Sequence, residues 1–402
     1  MPRVSAKASQ FTESVIREMT RLAAVHSTPG RPVVNLAQGF PDFPAPPEVK
    51  EAARRAIAED VNQYAVTWGA PVLREAIAAD ALRHHGWRLD PERELTVTCG
   101  ATEGMIAALM AVLDPGDELL VFEPFYENYG ADAILSGATP VHVPLDPPTL
   151  ERPSFALDPE KVRAAITPRT RGIVVNSPNN PTGLVLERTE LEALRDLCVE
   201  FDLVAFTDEI YEHIVYDGAR HIPLATIDGM AERTCTVNAL SKTFSVTGWR
   251  VGWVVAPPAL TAAVRKVHDF LTVGAAAPLQ QAGAVALGLP DDYFAGLAAF
   301  YQARRDRMLE ILRGVGLEPV VPRGAYYTLA DCTPFGMDDA KFAERLVAEL
   351  GVACVPGSSF FSREPDPGLR GHAPRYVRFT FCKTMDTLDA AAERLAGLEA
   401  WR

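Results

Sequence analysis

Residues 172–183 read GIVVNSPNNPTG, residues 203–211 read LVAFTDEIY and residues 234–243 read TCTVNALSKT. Each opens as a short apolar run and closes in polar residues able to do chemistry. Short apolar runs bounded by turn formers predict strands buried on both faces. The same pattern recurs at Leu95 to Val97, Glu118 to Phe122 and Val251 to Val255, with amphipathic helical segments between most of the runs. Strands alternating with helices predict an α/β fold with a mainly parallel sheet. In such sheets ligands bind outside the C-terminal strand ends, so the polar tails of these runs mark the expected site.

Working outward, a helix is predicted from Thr12 to Ala24, where Val15, Ile16, Met19, Leu22 and Ala23 keep helical spacing. The Pro-rich stretch from Phe40 to Glu48 reads as a connector. Helical patterns dominate from Pro258, with a long one from Asp291 to Gly314, and strands follow near Ala325 to Ala330 and Tyr376 to Phe381. The expected division is an N-terminal segment 1–45 packing with a small domain, a large domain 46–287, and a small α+β domain 288–402.

The chain has 52 acidic against 39 basic residues, a formal net charge of -13. That balance argues against a nucleic-acid or anionic-membrane partner. The longest apolar stretches, such as Ile106 to Leu113 and Val251 to Ala256, fall short of the roughly 18 residues of a membrane helix. With no signal-like N-terminus, the expected compartment is the cytosol. Cys99, Cys198, Cys235, Cys332, Cys354 and Cys382 lie far apart, which predicts buried free thiols and no cysteine metal site.

Lysine is scarce: Lys7, Lys50, Lys161, Lys242, Lys266, Lys341 and Lys383 are all there are, and only Lys242 follows a predicted buried strand. A desolvated lysine near other cations loses its proton readily and becomes an amine able to form an imine. That chemistry points to pyridoxal 5'-phosphate, which also needs a carboxylate for its ring nitrogen, donors for its phenolic oxygen and a phosphate cradle. Taken singly, each feature has a plainer reading: Asp208 as a helix cap, the Asn-Pro stretch as a turn, Lys242 as a solvated loop residue. Their convergence on one sheet edge favours the chemical reading. Gly100, Ala101 and Thr102 end a strand and open a predicted helix from Glu103 to Leu113, so free backbone N–H groups face an anion there. Arg250 offers a guanidinium fork. Arg378 lies within an apolar strand-like run, where it serves either an anionic ligand or a structural salt bridge.

The motifs NLAQGFPDFP from Asn35, NQYAVTWG from Asn62, TCGATEG from Thr98, FEPFYENY from Phe122, NSPNNPTG from Asn176, TDEIYEH from Thr207, SKTFSVTGWRVGW from Ser241 and YVRFTFCK from Tyr376 stand in this order. In them the chain resembles the class I/II aminotransferases of fold type I. It is most similar to the kynurenine, glutamine and methionine branch and to bacterial N-succinyldiaminopimelate aminotransferases. The resemblance implies a mainly parallel, seven-stranded type of sheet with a smaller α+β domain, pyridoxal phosphate as cofactor and no metal.

By the same resemblance Lys242 anchors the cofactor and shuttles the substrate α-proton, and Asp208 pairs with the pyridine nitrogen. At about 4 Å and an effective dielectric near 20 such a pair is worth roughly 4 kcal/mol. Tyr211 and Asn180 donate to the phenolic oxygen, Asn176 belongs to the cofactor site, and Tyr126 stacks on the ring, although core packing explains that aromatic equally well. Tyr64 reaches the phosphate of a neighbouring subunit, which implies a homodimer. Arg378 binds the substrate α-carboxylate with Asn180 and the backbone at Gly39.

Two positions depart from the family pattern. Ala239 replaces the serine that usually stands three residues before the lysine, so one phosphate ligand is expected to be missing. Ile16, Val273 and Gly274 stand where kynurenine aminotransferases carry aromatic and histidine side chains. The expected activity is ping-pong transfer of an amino group between an L-amino acid with a neutral side chain, such as methionine, glutamine, leucine or an aromatic residue, and a 2-oxo acid. The alternatives are N-succinyldiaminopimelate as substrate, which asks for a distal arginine such as Arg323 or Arg375, and same-fold cysteine-conjugate β-lyase chemistry. A non-catalytic pyridoxal-phosphate-sensing regulator fits poorly, since the residues before Phe40 are too few for a helix-turn-helix module.

Overall fold

The computed structural model describes residues 3–362 and 375–402. Its centre is a seven-stranded sheet, ordered in space Leu95–Thr98, Gly252–Val255, Thr234–Ala239, Val204–Asp208, Thr170–Asn176, Glu118–Glu123 and Thr139–Pro144. Gly252–Val255 is antiparallel to both its neighbours and the remaining pairs are parallel. A strand's side chains alternate between faces, and the core divides accordingly. Leu120, Ile173, Val175 and Ala205 enter one apolar cluster, while Leu119, Val121, Val174, Phe206 and Val237 enter another. Burial on both faces is why these strands are continuous apolar runs in the sequence.

The strands run further than the apolar residues do. Val204–Asp208 and Thr170–Asn176 carry Asp208 and Asn176 as their last paired residues, and Thr234–Ala239 includes Asn238 and Ala239. The ladder pairs Asn176 with Asp208 and Asp208 with Val237. Asp208 is therefore a strand residue and not a helix cap. Backbone pairing is indifferent to side-chain polarity, so the apolar pattern understates strand length. The edge strand Thr139–Pro144 is not among the predicted strands: its mixed, half-exposed residues lack a continuous apolar run.

The predicted first helix begins later, at Val15–His26, because Ser14 caps it by accepting the Arg17 N–H. The helix after Gly100 starts earlier than predicted, spanning Ala101–Val112. Asp291–Gly314 is one helix as predicted. A four-stranded antiparallel sheet, Val355–Pro356, Tyr376–Thr380, Tyr327–Asp331 and Glu318–Pro319, lies in the C-terminal part. Val34–Asn35 pairs in parallel with Val352–Ala353, tying the N-terminal segment to that part. All six cysteines are free, with Cys99 only half-buried. Among the described residues no helix is long and apolar enough to cross a membrane.

Candidate active site

The C-terminal ends of the central strands open into a cavity of about 390 Å³. Gly39, Ala101, Thr102, Tyr126, Asn176, Asn180, Asp208, Tyr211, Lys242, Arg250 and Arg378 all line it. Gly100 does not, but it shapes the wall. A Cβ on Gly100 would stand 2.4 Å from Arg250 Nη2, so the guanidinium lies against a residue that has to be glycine, one that also holds a φ of +85°. A Cβ on Gly252 would likewise meet the Ala101 nitrogen at 2.7 Å. These two glycines let Arg250 and the start of the helix Ala101–Val112 share one corner. Ala101 and Thr102 stand in the first turn, where no intrahelical carbonyl reaches their N–H groups. The corner thus combines helix N–H groups, a guanidinium and the hydroxyl-bearing residues Thr102 and Ser241, a donor set suited to a phosphate. Ala239 is buried and does not line the cavity.

Lys242 sits on the short helix Leu240–Thr243. Burial pushes its amine down to about 8, with Cys382 and Asp208 pulling the other way. The amine lies 6.0 Å from the Tyr211 ring centre and 5.8 Å from that of Tyr326. Asp208 is buried, and burial raises its carboxyl against the opposing pull of two hydrogen bonds and Lys242. Those bonds come from the Tyr129 phenol at 2.7 Å and the Ile210 N–H at 3.4 Å. Asn176 holds the neighbouring strands together by donating to the Asp208 carbonyl at 2.9 Å, while its oxygen accepts the Asn180 N–H at 2.8 Å. Tyr211 donates to the Tyr327 hydroxyl at 3.3 Å.

Arg378 is fully buried. Its Nη1 donates to Asn180 Oδ1 at 2.9 Å and its Nη2 to the Ala37 carbonyl at 2.8 Å, while Nε has no partner among the described residues. The rings of Tyr327 and Phe360 lie 4.2 and 4.8 Å from the guanidinium carbon. Among the described residues no carboxylate pairs with it, so the structural salt bridge is absent. A buried cation with a spare donor and no counter-ion has the charge and the donor to hold an anion.

Some residues singled out from the sequence lie outside this cavity. Tyr64 is 88% exposed and does not line the cavity. Val273 and Gly274 do not line it either, whereas Ile16 does. Arg323 and Arg375 are engaged by Glu187 at 2.7 Å and Asp331 at 2.6 Å, away from the cavity. The cavity also contains residues the sequence reading missed: Tyr129, Tyr327, Arg17, Gln38 and Asp132. Tyr129 and Gln38 were within reach, since they stand in the FEPFYENY and NLAQGFPDFP motifs; the others carry no local signal.

The family model for aminotransferase class I and II matches residues 31–395. The chain is 44% identical to the probable N-succinyldiaminopimelate aminotransferase of Mycobacterium tuberculosis, over 96% of each chain. It is 36% identical to kynurenine–oxoglutarate transaminase 1 of Homo sapiens, over 94% of each. The solved structure of N-succinyldiaminopimelate aminotransferase from M. tuberculosis superposes with a TM-score of 0.93 at 44% identity, covering 98% of this chain and all of that one.

Proposed function

The chain belongs to the class I and II aminotransferases, enzymes that use pyridoxal phosphate, and from that premise we propose that it binds this cofactor in the cavity and transfers amino groups between an L-amino acid and a 2-oxo acid. The observation that carries the reading is the convergence on one cavity of a depressed lysine amine, a buried carboxylate, a phosphate corner and an uncompensated arginine.

The cofactor, when bound, supplies an electron-withdrawing ring that stabilises charge on the substrate α-carbon. Lys242 holds it covalently and then, as a free amine, moves the proton at the α-carbon, a task suited to a base near neutral pH. Asp208 presents the carboxylate that keeps the ring nitrogen protonated, and Tyr129 holds that carboxylate in place. Tyr211 and Asn180 donate to the phenolic oxygen, with Asn176 bracing the strand ends and Tyr126 covering the ring. Gly100 lets Arg250 approach, and Ala101, Thr102 and Arg250 hold the phosphate. Arg378, with Asn180 and Gly39, takes the substrate α-carboxylate. A cytosolic homodimer belongs to this reading, with the exposed Tyr64 reaching the partner's phosphate site, as does the division of the chain at about residues 45 and 287.

One observation bears on the substrate. Of the cationic side chains on the cavity, Arg17 alone has a guanidinium without a hydrogen bond, ion pair or ring partner among the described residues, and it neighbours Ile16 on the helix Val15–His26. The apolar side chain of Ile16 followed by a free cation suits a long side chain ending in a carboxylate, as in N-succinyldiaminopimelate. This moves the preferred donor from the medium to long neutral amino acids expected from Ile16, Val273 and Gly274 to an acid-tipped one. Steady-state specificity constants decide: kcat/KM for N-succinyl-L,L-diaminopimelate or its partner reaction with glutamate should exceed that for methionine, and Arg17→Met should remove the advantage while leaving methionine turnover intact. Methionine ranking first in wild type would restore the neutral reading, and aspartate ranking above both would overturn each.

A further inference from the structure

Outside the cavity, the last turn of the helix Pro71–His85 packs against residues 209–213 through a cluster of histidines and carboxylates. Most of its members are engaged with one another. His85 Nε2 meets Glu212 Oε2 at 2.8 Å, Asn238 Nδ2 donates to Glu212 Oε1 at 2.5 Å, and His221 meets Glu209 at 2.9 Å. Three members are left over. Asp80 Oδ1, His84 Nε2 and His213 Nε2 are buried and make no hydrogen bond among the described residues, although His213 Nε2 lies 3.6 Å from Glu212 Oε1. One ligand-capable atom from each lies within 4.8 Å of the other two, and the Asp80–His84 separation is 3.4 Å.

We propose that Asp80, His84 and His213 form a binding site for a divalent transition metal of the zinc class, with water completing the coordination. Asp80 and His84 are four residues apart on one helix, the spacing that sets two side chains on the same face one turn apart. His213 comes from the segment that also carries Tyr211. In a tetrahedral zinc site with bonds of about 2.0–2.1 Å, ligand atoms stand roughly 3.3 Å apart; the Asp80–His84 pair is already at that spacing, and the His213 ligand atom, within 4.8 Å of both, has at most about 1.5 Å to move in. Burial lowers the proton affinity of His213, which favours the neutral imidazole that ligates metal. Both rings are held by Phe294, whose centre is 4.6 Å from each, an apolar backing that fixes their orientation. Without a metal, three buried polar atoms face one another unsatisfied, an arrangement that costs stability. With one, the helix is clamped to the segment behind Tyr211, independently of whichever substrate the cavity takes.

The test uses the untagged, cofactor-loaded full chain after chelator treatment and dialysis. Titration with Co²⁺ should give visible d–d absorption that saturates at one ion per chain and is displaced by Zn²⁺, and the metal should raise the melting temperature. Asp80→Asn and His84→Gln, nearly isosteric changes, should each weaken Co²⁺ binding by about a hundredfold, since altering even an outer-shell partner costs ten- to a hundredfold. Absence of a saturable d–d signal in the folded wild type overturns the proposal without recourse to any variant. So does undiminished Co²⁺ binding by both variants, which would place the ion elsewhere.

Discussion

The Tyr129 phenol donates a 2.7 Å hydrogen bond to Oδ2 of Asp208, across the sheet from the helix Asn128–Ser136 to the strand Val204–Asp208. This bond offsets part of the cost of keeping Asp208 buried, and burial raises the Tyr129 hydroxyl far out of its titrating range, so it remains a donor. A hydrogen bond to a charged group is worth about 1.5–3 kcal/mol. Tyr129→Phe is therefore expected to slow α-proton removal about ten- to a hundredfold while Asp208→Asn slows it by several orders of magnitude. Single-turnover rates with a deuterated amino acid check the ranking; equal rates for Tyr129→Phe and wild type would remove the phenol's role.

The Lys242 amine, pushed down to about 8, is expected to react with aldehydes at a pH where ordinary lysines are still protonated. Because its folded pKa lies below the usual value, the neutral amine accumulates as pH rises through about 8. Cofactor-free protein treated with pyridoxal phosphate and borohydride should carry the label on Lys242, with a capture rate that rises across that range. Lys242→Ala should show no reduced adduct. A label on another lysine would refute the assignment.

The phosphate corner has Thr102 and Ser241 on its wall where the family's usual serine is replaced by Ala239. Thr102→Val and Ser241→Ala are each expected to weaken binding of pyridoxamine phosphate, which is not held covalently, by about ten- to a hundredfold. Equilibrium dialysis measures the change. Unaltered affinity in both would assign the phosphate wholly to Arg250 and the helix N–H groups.

Asp132 lines the cavity wall with Oδ2 buried and without a hydrogen-bond partner among the described residues, and burial pushes its carboxyl up to about 7. A folded-state value above the unfolded one means its favourable contribution is complete below about pH 4 and is lost as pH rises through 7. By linkage, ionising it costs as much as about 4 kcal/mol above that range. Asp132→Asn should thus raise stability at pH 8 by a few kcal/mol and change it far less at pH 4. Urea unfolding at the two pH values gives the difference; equal effects would show that ionisation is not the cause.

Much of this molecule was legible as sequence because its signals are local. Apolar runs announced the central strands, since two-sided burial leaves no alternation to obscure them, and the polar tails of those runs placed Asp208, Asn176, Asn180 and Lys242 at one sheet edge. The Gly100 turn announced the corner shared by Arg250 and the helix Ala101–Val112, because only glycine tolerates both its positive φ and the adjacent guanidinium. The half-exposed edge strand Thr139–Pro144 left no such mark.

What only the tertiary structure decided depends on contacts between residues distant in the chain. That among the described residues Arg378 faces no carboxylate and Arg17 stands free on the cavity, and that Arg323 and Arg375 are already engaged, follow from which side chains the packing brings together. The same holds for Asp80 and His213, separated by most of the large sheet in sequence yet within 4.8 Å in space. Residue type and spacing determine secondary structure and strand-end chemistry through local sterics and periodicity, whereas the charge state and partners of a buried group are set by long-range packing that no local pattern encodes.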